Sequence, residues 1–376
     1  MIEYVEIRAA GSREIIGIVD AAKSIIWRSS FYETGDFEIY APATPLNVQL
    51  LVEENFVSRP GIREIGIIEH VEISFNAFDG RMIVASGRMA KSILDRRIVY
   101  ISNRANVISP TILSGNVETA ARSVINNNAI SCAFDTKRNI PFLVLGAHSG
   151  SSKIIVDGDG NASTKQVTFD NLLTFTNDFL HEYEIGAFVG LNSSNKLEFY
   201  CKTGANRSVD NTAGNEPVIF SQEYDNLISS DYDYNDATMK NAAVIGGEGE
   251  GEARFCSIVS PSDVGANRRE MFVDASSTSR TYTDEHGVEH EISSSDYNKQ
   301  LQAIGRQELA KFPIVQTFDG VLNLSSGSYI YGVNYELGDI ITIQDNVIGL
   351  YINAQIVEII ETQDDNGYNI TAKYGV

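Results

Sequence analysis

Four stretches at the start of the chain, IEYVEIR (2–8), REIIGIVD (13–20), SIIWRSS (24–30) and DFEIYAP (36–42), follow one another with only short polar breaks. Each alternates apolar and polar residues. A period of two gives a strand one apolar face, whereas a helix needs a period near 3.6. The chain is therefore committed to sheets from its first residues. A short helix is expected at TPLNVQLLVEE (44–54), and strands resume at NFVSR (55–59), REIGIIEHVEISF (63–75) and RMIVASG (81–87). The turn between the last two is AFDG (77–80), whose Asp-Gly pair supplies the positive φ angles of a tight hairpin. Many short strands with turn signals between them predict a barrel or a sandwich.

Near residue 106 the texture changes. NVETAARSVINNNA (116–129) places Val117, Ala120, Ala121, Val124 and Ile125 on one helical face, and the asparagines that follow are expected to stop the helix. A second helix is expected at FDNLLTFTNDFLHEY (169–183), followed by strands at 184–191 and 196–202 joined by the turn NSSN. From about residue 209 the β texture returns, with one helix at 296–312 that ends at Pro313. Strands at 338–345, 347–362 and 368–374 close the sequence. The fold class expected is β-rich α+β, divided as a β-rich domain at 1–105, an α+β domain at 106–208 and a second β-rich domain with one helix at 209–376.

Composition excludes several functions. The 376 residues carry a formal net charge of −21, which repels both nucleic acid and anionic lipid. The amino terminus has no basic region followed by an apolar core, and no apolar run is long enough to span a bilayer. Three scattered cysteines, Cys132, Cys201 and Cys256, suit neither a disulfide framework nor a zinc site, and they predict synthesis in a reducing cytoplasm.

The search for chemistry is equally restrictive. GGEGEGEAR (246–254) has the glycines of a phosphate loop, but Glu248, Glu250 and Glu252 would repel the anion and no Lys follows. A glycine-rich turn between the strands AAVIGG (242–247) and ARFCSIV (253–259) is expected instead. DGDGN (157–161) starts like a calcium loop, yet Ala162 and Thr168 occupy the positions that need Gly and Glu. His286 and His290 are four apart, but Gly287 breaks the helix that would aim both at one metal. His70, His148 and His181 stand alone, and no carboxylate pair is singled out. No catalytic residue, cofactor or metal site is expected, and the chain is not read as an enzyme.

In their order and spacing, TGDFEIYAP (34–42), GRMAKSILDRRIV (87–99), YDNLISSDYDYN (224–235), KNAAVIGGEGEGEAR (240–254), NRREMFVDA (267–275) and LGDIITI (337–343) resemble the tail-tip hub proteins of siphophages. Those hubs form the amino-terminal part of tail-associated lysins and are similar in fold to the baseplate hub of contractile phages. The resemblance implies a virion structural protein at the tail tip, made in the host bacterial cytoplasm. It implies a homotrimer whose two tail-tube-type, β-barrel-like domains per subunit, at 1–105 and 209–376, make a pseudo-sixfold ring, with the α+β domain at 106–208 an insertion.

The partners so implied are the distal tail protein, the tail tube and tape measure protein, and tip fibre, receptor-binding or lysin proteins. DNA would pass through the channel without specific binding, and no membrane insertion is implied. Relatives often continue into a hydrolase or a fibre, whereas the sequence ends at Val376, so such functions are expected on another polypeptide. Arg96, Arg97, Arg268 and Arg269 lie in the resembling motifs and are candidates for the interface. Trp27 is a further interface candidate, because it follows an apolar pair near a strand end; an intradomain core position is its alternative. The equivalent hub of a contractile tail or tail-like bacteriocin, a module binding cell-wall glycans, and a hydrolase with an unmarked carboxylate pair are rival readings.

Overall fold

Alternation in the sequence becomes alternation in burial. In strand Ser24–Ser30, Ile25 and Trp27 are buried, and in its neighbour Asp36–Pro42 the buried residues are Phe37, Ile39 and Ala41. The computed structural model describes residues 2–78, 80–104, 107–157, 160–260, 264–283, 288–323, 328–347 and 349–375. The chain forms two units, one of Met1–Ile155, Ala162–Asp231 and Phe318–Val376, the other of Val156–Asn161 and Tyr232–Thr317.

The first unit is organised by a ten-stranded sheet. Its central path runs from Gly367–Gly375 to Leu350–Asp364, then to Ser24–Ser30, Asp36–Pro42 and Gly80–Arg88, and ends at the edge strand His70–Asn76. Leu350–Asp364 is the longest strand and does two jobs. Its first half pairs with Ile340–Asp345 and its second half with Ser24–Ser30, with Glu358 opposite Ser30 and Gln363 opposite Ile25. Strands from the two ends of the chain therefore share one sheet. A separate four-stranded sheet has Ile15–Val19 at one edge, followed by Val5–Arg8, Phe56–Ser58 and Ile65–Ile67. The sheets are open, and none closes into a barrel among the described residues.

Among the described residues three α-helices belong to this unit, and each starts on a side-chain cap. In α1, Pro45–Leu50, the hydroxyl of Thr44 accepts from the Asn47 amide; in α2, Val117–Ile125, Asn116 accepts from Thr119; in α3, Leu172–His181, Asn171 accepts from Leu173 and Thr174. The asparagines after α2 do not stop it. The chain continues as a π-helical turn over Asn126–Ile130, because Asn128 is buried with its side chain donating to the Val124 carbonyl and accepting from the Tyr100 amide. α2 and α3 pack with strands Gly186–Leu191 and Leu197–Lys202 around a core that reaches back to Phe56, Ile67, Ile93 and Leu94. The middle region thus shares its core with residues from the first hundred.

The second unit is smaller. Strand Ala242–Gly246 lies between Cys256–Val259, antiparallel, and Glu270–Asp274, parallel. Helix α4, Ser294–Leu309, covers one face of this sheet, with Ala243, Ile245, Val273, Tyr297 and Leu301 forming the core. Gly305 lets the helix approach, since a Cβ there would sit 2.6 Å from the Ile245 Cδ1. The Asp-Gly turn includes Asp79, DGDGN includes residues 158 and 159, and the spaced histidine pair includes His286; these lie outside the described residues.

Candidate interaction surface and buried charge network

Of the five candidate interface residues, three lie in the first unit and two in the second. In the first unit, Trp27 is 1 % exposed and belongs to the core cluster of Phe37, Ile39 and Ile83. Its ring lies 6.0 Å from Phe37, and the Arg59 guanidinium sits 5.4 Å from its centre. A side chain so covered has no apolar surface to offer a neighbour, and Trp27 occupies the core position. Arg96 reaches out to form two hydrogen bonds with the exposed Glu54 carboxylate, at 2.8 and 2.9 Å. Arg97 turns the other way and donates to the Arg138 and Arg96 carbonyls, both at 2.8 Å. In the second unit, Arg268 pairs with Glu270 at 2.6 Å, and Arg269 pairs with Asp236 at 2.6 Å.

Beneath Trp27 lies a charge network that sequence reading missed. Arg59 and Glu361 form a two-pronged ion pair at 2.7 and 2.8 Å, each side chain 8 % exposed. The Tyr368 hydroxyl donates to the same carboxylate. Burial alone would raise the Glu361 carboxyl, but the hydrogen bonds and charge of Arg59, with the Tyr368 hydroxyl, hold it below the usual range. Nearby, Ser29 donates to Glu64 at 2.6 Å, and burial pushes Glu64 up to about 7 despite Ser29, Lys91 and Arg59. Lys91 is 3 % exposed and is pinned by the carbonyls of Tyr32 and Glu33 at 2.9 and 2.8 Å; burial pulls it down to about 8. A cavity of about 330 Å³ opens beside this network, lined among others by Ser29, Glu64, Tyr200, Tyr331 and Glu336. Arg59 and Glu361 are 302 residues apart, so no local pattern could have announced their pairing.

A second buried carboxylate secures the middle region. Glu118, in the first turn of α2, is fully buried and accepts from the Ser149 amide and hydroxyl, with His148 Nδ1 3.0 Å from the same carboxylate. His148 and Ser149 thus fasten a loop to a helix. A larger cavity of about 810 Å³ includes Tyr32 and His181, whose rings stack at 3.8 Å, with Lys153, Glu184, Glu358 and Lys373. Its acids and bases are interleaved; Lys153 pairs with Glu184 and Lys373 with Glu358. Such a lining selects no ligand charge.

The outer surface of the first unit is more telling. The edge strand His70–Asn76 exposes Ile73 and Phe75, and the turn after it leaves Phe78 wholly in solvent. The edge of the four-stranded sheet exposes Ile15, Ile16 and Ile18, and α1 exposes Leu46 and Val48. Unpaired edges carrying large apolar side chains are where sheets recruit another chain.

In the second unit the glycine-rich stretch is structural. It connects antiparallel strands through a 3₁₀ turn at Gly251–Ala253. A Cβ on Gly247 would lie 2.6 Å from the Tyr297 hydroxyl, which donates to the Thr278 carbonyl and accepts from the Glu248 amide. Gly249, with φ of +108°, takes a conformation closed to other residues. No anion cradle results. Among the described residues no group of His, Cys, Asp and Glu is placed to hold a metal ion, and no helix is long and apolar enough to cross a membrane. His290 instead stacks on Tyr282 at 5.3 Å.

The sequence matches the model of the Siphovirus ReqiPepy6 Gp37-like protein family over residues 4–376. The chain belongs to this family. No curated protein matches it. Solved structures extend the likeness at the level of fold. The 43 kDa tail protein of prophage MuSo2 from Shewanella oneidensis aligns with a TM-score of 0.59 and 12 % identity, over 99 % of this chain and 98 % of that one. The tail protein from Neisseria meningitidis MC58 aligns with a TM-score of 0.58 and 13 % identity, over 99 % and 96 %. Prophage tail protein gp18 from Listeria monocytogenes EGD-e gives a TM-score of 0.50 and 12 % identity, over 99 % and 94 %. This Gp37-like family member is therefore built, from end to end, on a fold shared with phage tail proteins.

Proposed function

We propose that the chain is a structural protein of the phage virion, without enzymatic activity, and serves as the hub at the tip of a siphophage tail. The observation that carries this is the coincidence of a siphovirus family over residues 4–376 with the fold of tail proteins over 99 % of the chain. In this reading three copies form a ring that joins the distal tail protein and tail tube to the tip and closes the tail until DNA leaves. The ranges 1–105 and 209–376 supply its barrel-like, tube-type walls, and 106–208 is an insertion.

Two physical features support an assembling role. Apolar side chains are exposed on unpaired strand edges at Ile15–Val19 and His70–Asn76, as a subunit awaiting neighbours requires. The net charge of −21, tripled in the ring, would let DNA slide past a lining that offers few cations to phosphate. Of the interface candidates, Arg96, Arg268 and Arg269 would act by positioning carboxylates, and Arg97 by holding backbone carbonyls, within each subunit as much as across the contact. The deciding experiment is a density map of the assembled tail, expected to show a threefold ring of this chain between tube and tip. A sixfold ring repeated along the tube would refute the hub. A lumen lined mainly by Lys and Arg would refute the sliding surface alone.

A further inference from the structure

We propose that the uncovered face of the three-stranded sheet in the second unit is a subunit contact, made with a second copy of this chain. The inference rests on the assembling role above and adds a surface to it. Because α4 covers the face bearing Ala243, Ile245 and Val273, pleating sends Val244, Ile258 and Phe272 to the opposite side. These three are cross-strand neighbours and form a row across the sheet, with Val244 opposite both of the others. Ile258 is 54 % exposed and Phe272 is 58 % exposed. An arginine flanks this apolar row on each side, at the next row along the strands. Arg254 crosses above Gly246, donates to the Gly246 carbonyl at 3.0 Å and to Asp274 at 2.5 Å, and stacks on the Phe272 ring at 5.4 Å. Arg268 flanks the other side, bonding Glu270 at 2.6 Å and the Ser260 hydroxyl. Gly246 is needed for the first of these, since a Cβ there would meet the guanidinium at 2.6 Å.

The charge pattern selects the occupant. On this face two arginines meet two carboxylates, so the local charge is zero on a chain whose total is −21. Two copies of so acidic a molecule repel unless they touch where charge cancels. A basic partner would be drawn to the acidic surface elsewhere, and an acidic partner would find both guanidinium groups already satisfied. What fits is a neutral apolar surface of another subunit. The area sets the role. Three strands about 4.8 Å apart and about five residues long present roughly 200 Å², against about 800 Å² per partner in a standard stable interface. The face therefore cannot hold two copies together alone, and it works as one contact within a larger ring.

Cys256 sits on this face, one row from Ile258, and is the exposed thiol while Cys132 and Cys201 are buried. Its alkylation by a maleimide reports coverage in the intact full-length chain. The chain is labelled across a concentration series while light scattering gives its mass. The expected result is that labelling slows about tenfold once nine-tenths of the chain is assembled. Phe272→Glu and Ile258→Glu, exposed and so compatible with folding as checked by circular dichroism, are expected to restore the rate and weaken assembly. Assembly with Cys256 still labelled at the monomer rate overturns the contact and leaves the assembling role standing. So does protection that appears only when another tail protein is added. A chain that stays monomeric at every concentration sinks both.

Discussion

Replacing Arg59 by Met tests how the two ends of the chain are held together. The substitution keeps most of the side-chain volume but removes the ion-pair partner of Glu361, whose carboxylate is 8 % exposed and, among the described residues, keeps the hydrogen bond from the Tyr368 hydroxyl. Breaking a buried pair from one side costs about 3–5 kcal/mol, because the remaining charge is stranded in low dielectric. That is a large part of the roughly 5–15 kcal/mol that holds a typical domain folded. Glu361→Leu alone strands Arg59 and is expected to cost a similar amount. The double variant strands no charge and leaves only the Tyr368 hydroxyl without its acceptor, at about 1–3 kcal/mol. The two single losses therefore sum to far more than the double loss. Trp27 is the only tryptophan and lies 5.4 Å from the Arg59 guanidinium, so urea unfolding followed by its fluorescence reports on this site directly. The deficit of Arg59→Met is also expected to shrink as pH falls, since a protonated Glu361 needs no counter-ion. A single-variant loss below about 1 kcal/mol, or a double variant as unstable as the singles together, would refute the reasoning.

Other perturbations follow the same logic. Glu64, pushed up to about 7, keeps its proton in the folded chain after the unfolded chain has lost it. Its contribution is complete below the ordinary carboxylate range and is lost as pH rises through 7; Glu64→Gln should flatten that slope in pH-dependent melting. Lys91 acts in the opposite direction: pulled down to about 8, it costs stability below that pH, and Lys91→Met should remove the dependence between its folded and ordinary values. Gly247→Ala places a methyl against the Tyr297 hydroxyl and should destabilise the second unit by about 1–3 kcal/mol, read by hydrogen exchange in α4. Glu118→Ala leaves the Ser149 amide and hydroxyl without their buried acceptor; proteolysis within 146–151 should accelerate while exchange in α4 is unchanged.

What the sequence disclosed and what it withheld divide along a physical line. Ser24–Ser30 and Asp36–Pro42 have the bounds read from their alternation, and α2, α3 and α4 lie where periodicity placed them, each begun by an Asn or Ser cap. These are local signals. The π-helical turn at Asn126–Ile130 escaped because asparagine commonly ends a helix, and only a buried partner such as the Tyr100 amide reverses that preference. Alternation says which face of Ser24–Ser30 is buried but not that Leu350–Asp364 lies beside it. For the same reason the sequence left Trp27 open between an interface and a core position, because the strands and Arg59 that cover it in the core come from distant sequence. The neutral strip across Val244, Ile258 and Phe272 escaped too, since residues that look scattered in sequence align only through the register of three strands.

The pairing of Ser24–Ser30 with the second half of Leu350–Asp364 also sets a timetable. The first of these strands leaves the ribosome more than three hundred residues before the second. At about 5–20 residues per second this is a wait of roughly 16–65 s. During it Ser24–Ser30 has Asp36–Pro42 on one side and nothing on the other, with Ile25 and Trp27 lacking part of their cover. A nascent chain in that state is an open edge beside other nascent chains on the same message. Slow translation anywhere between the two strands therefore prolongs the hazard, whereas a holding chaperone limits its consequences. The yield of folded protein should depend on the total time taken to translate the codons between the two strands, whichever stretch of them is slow.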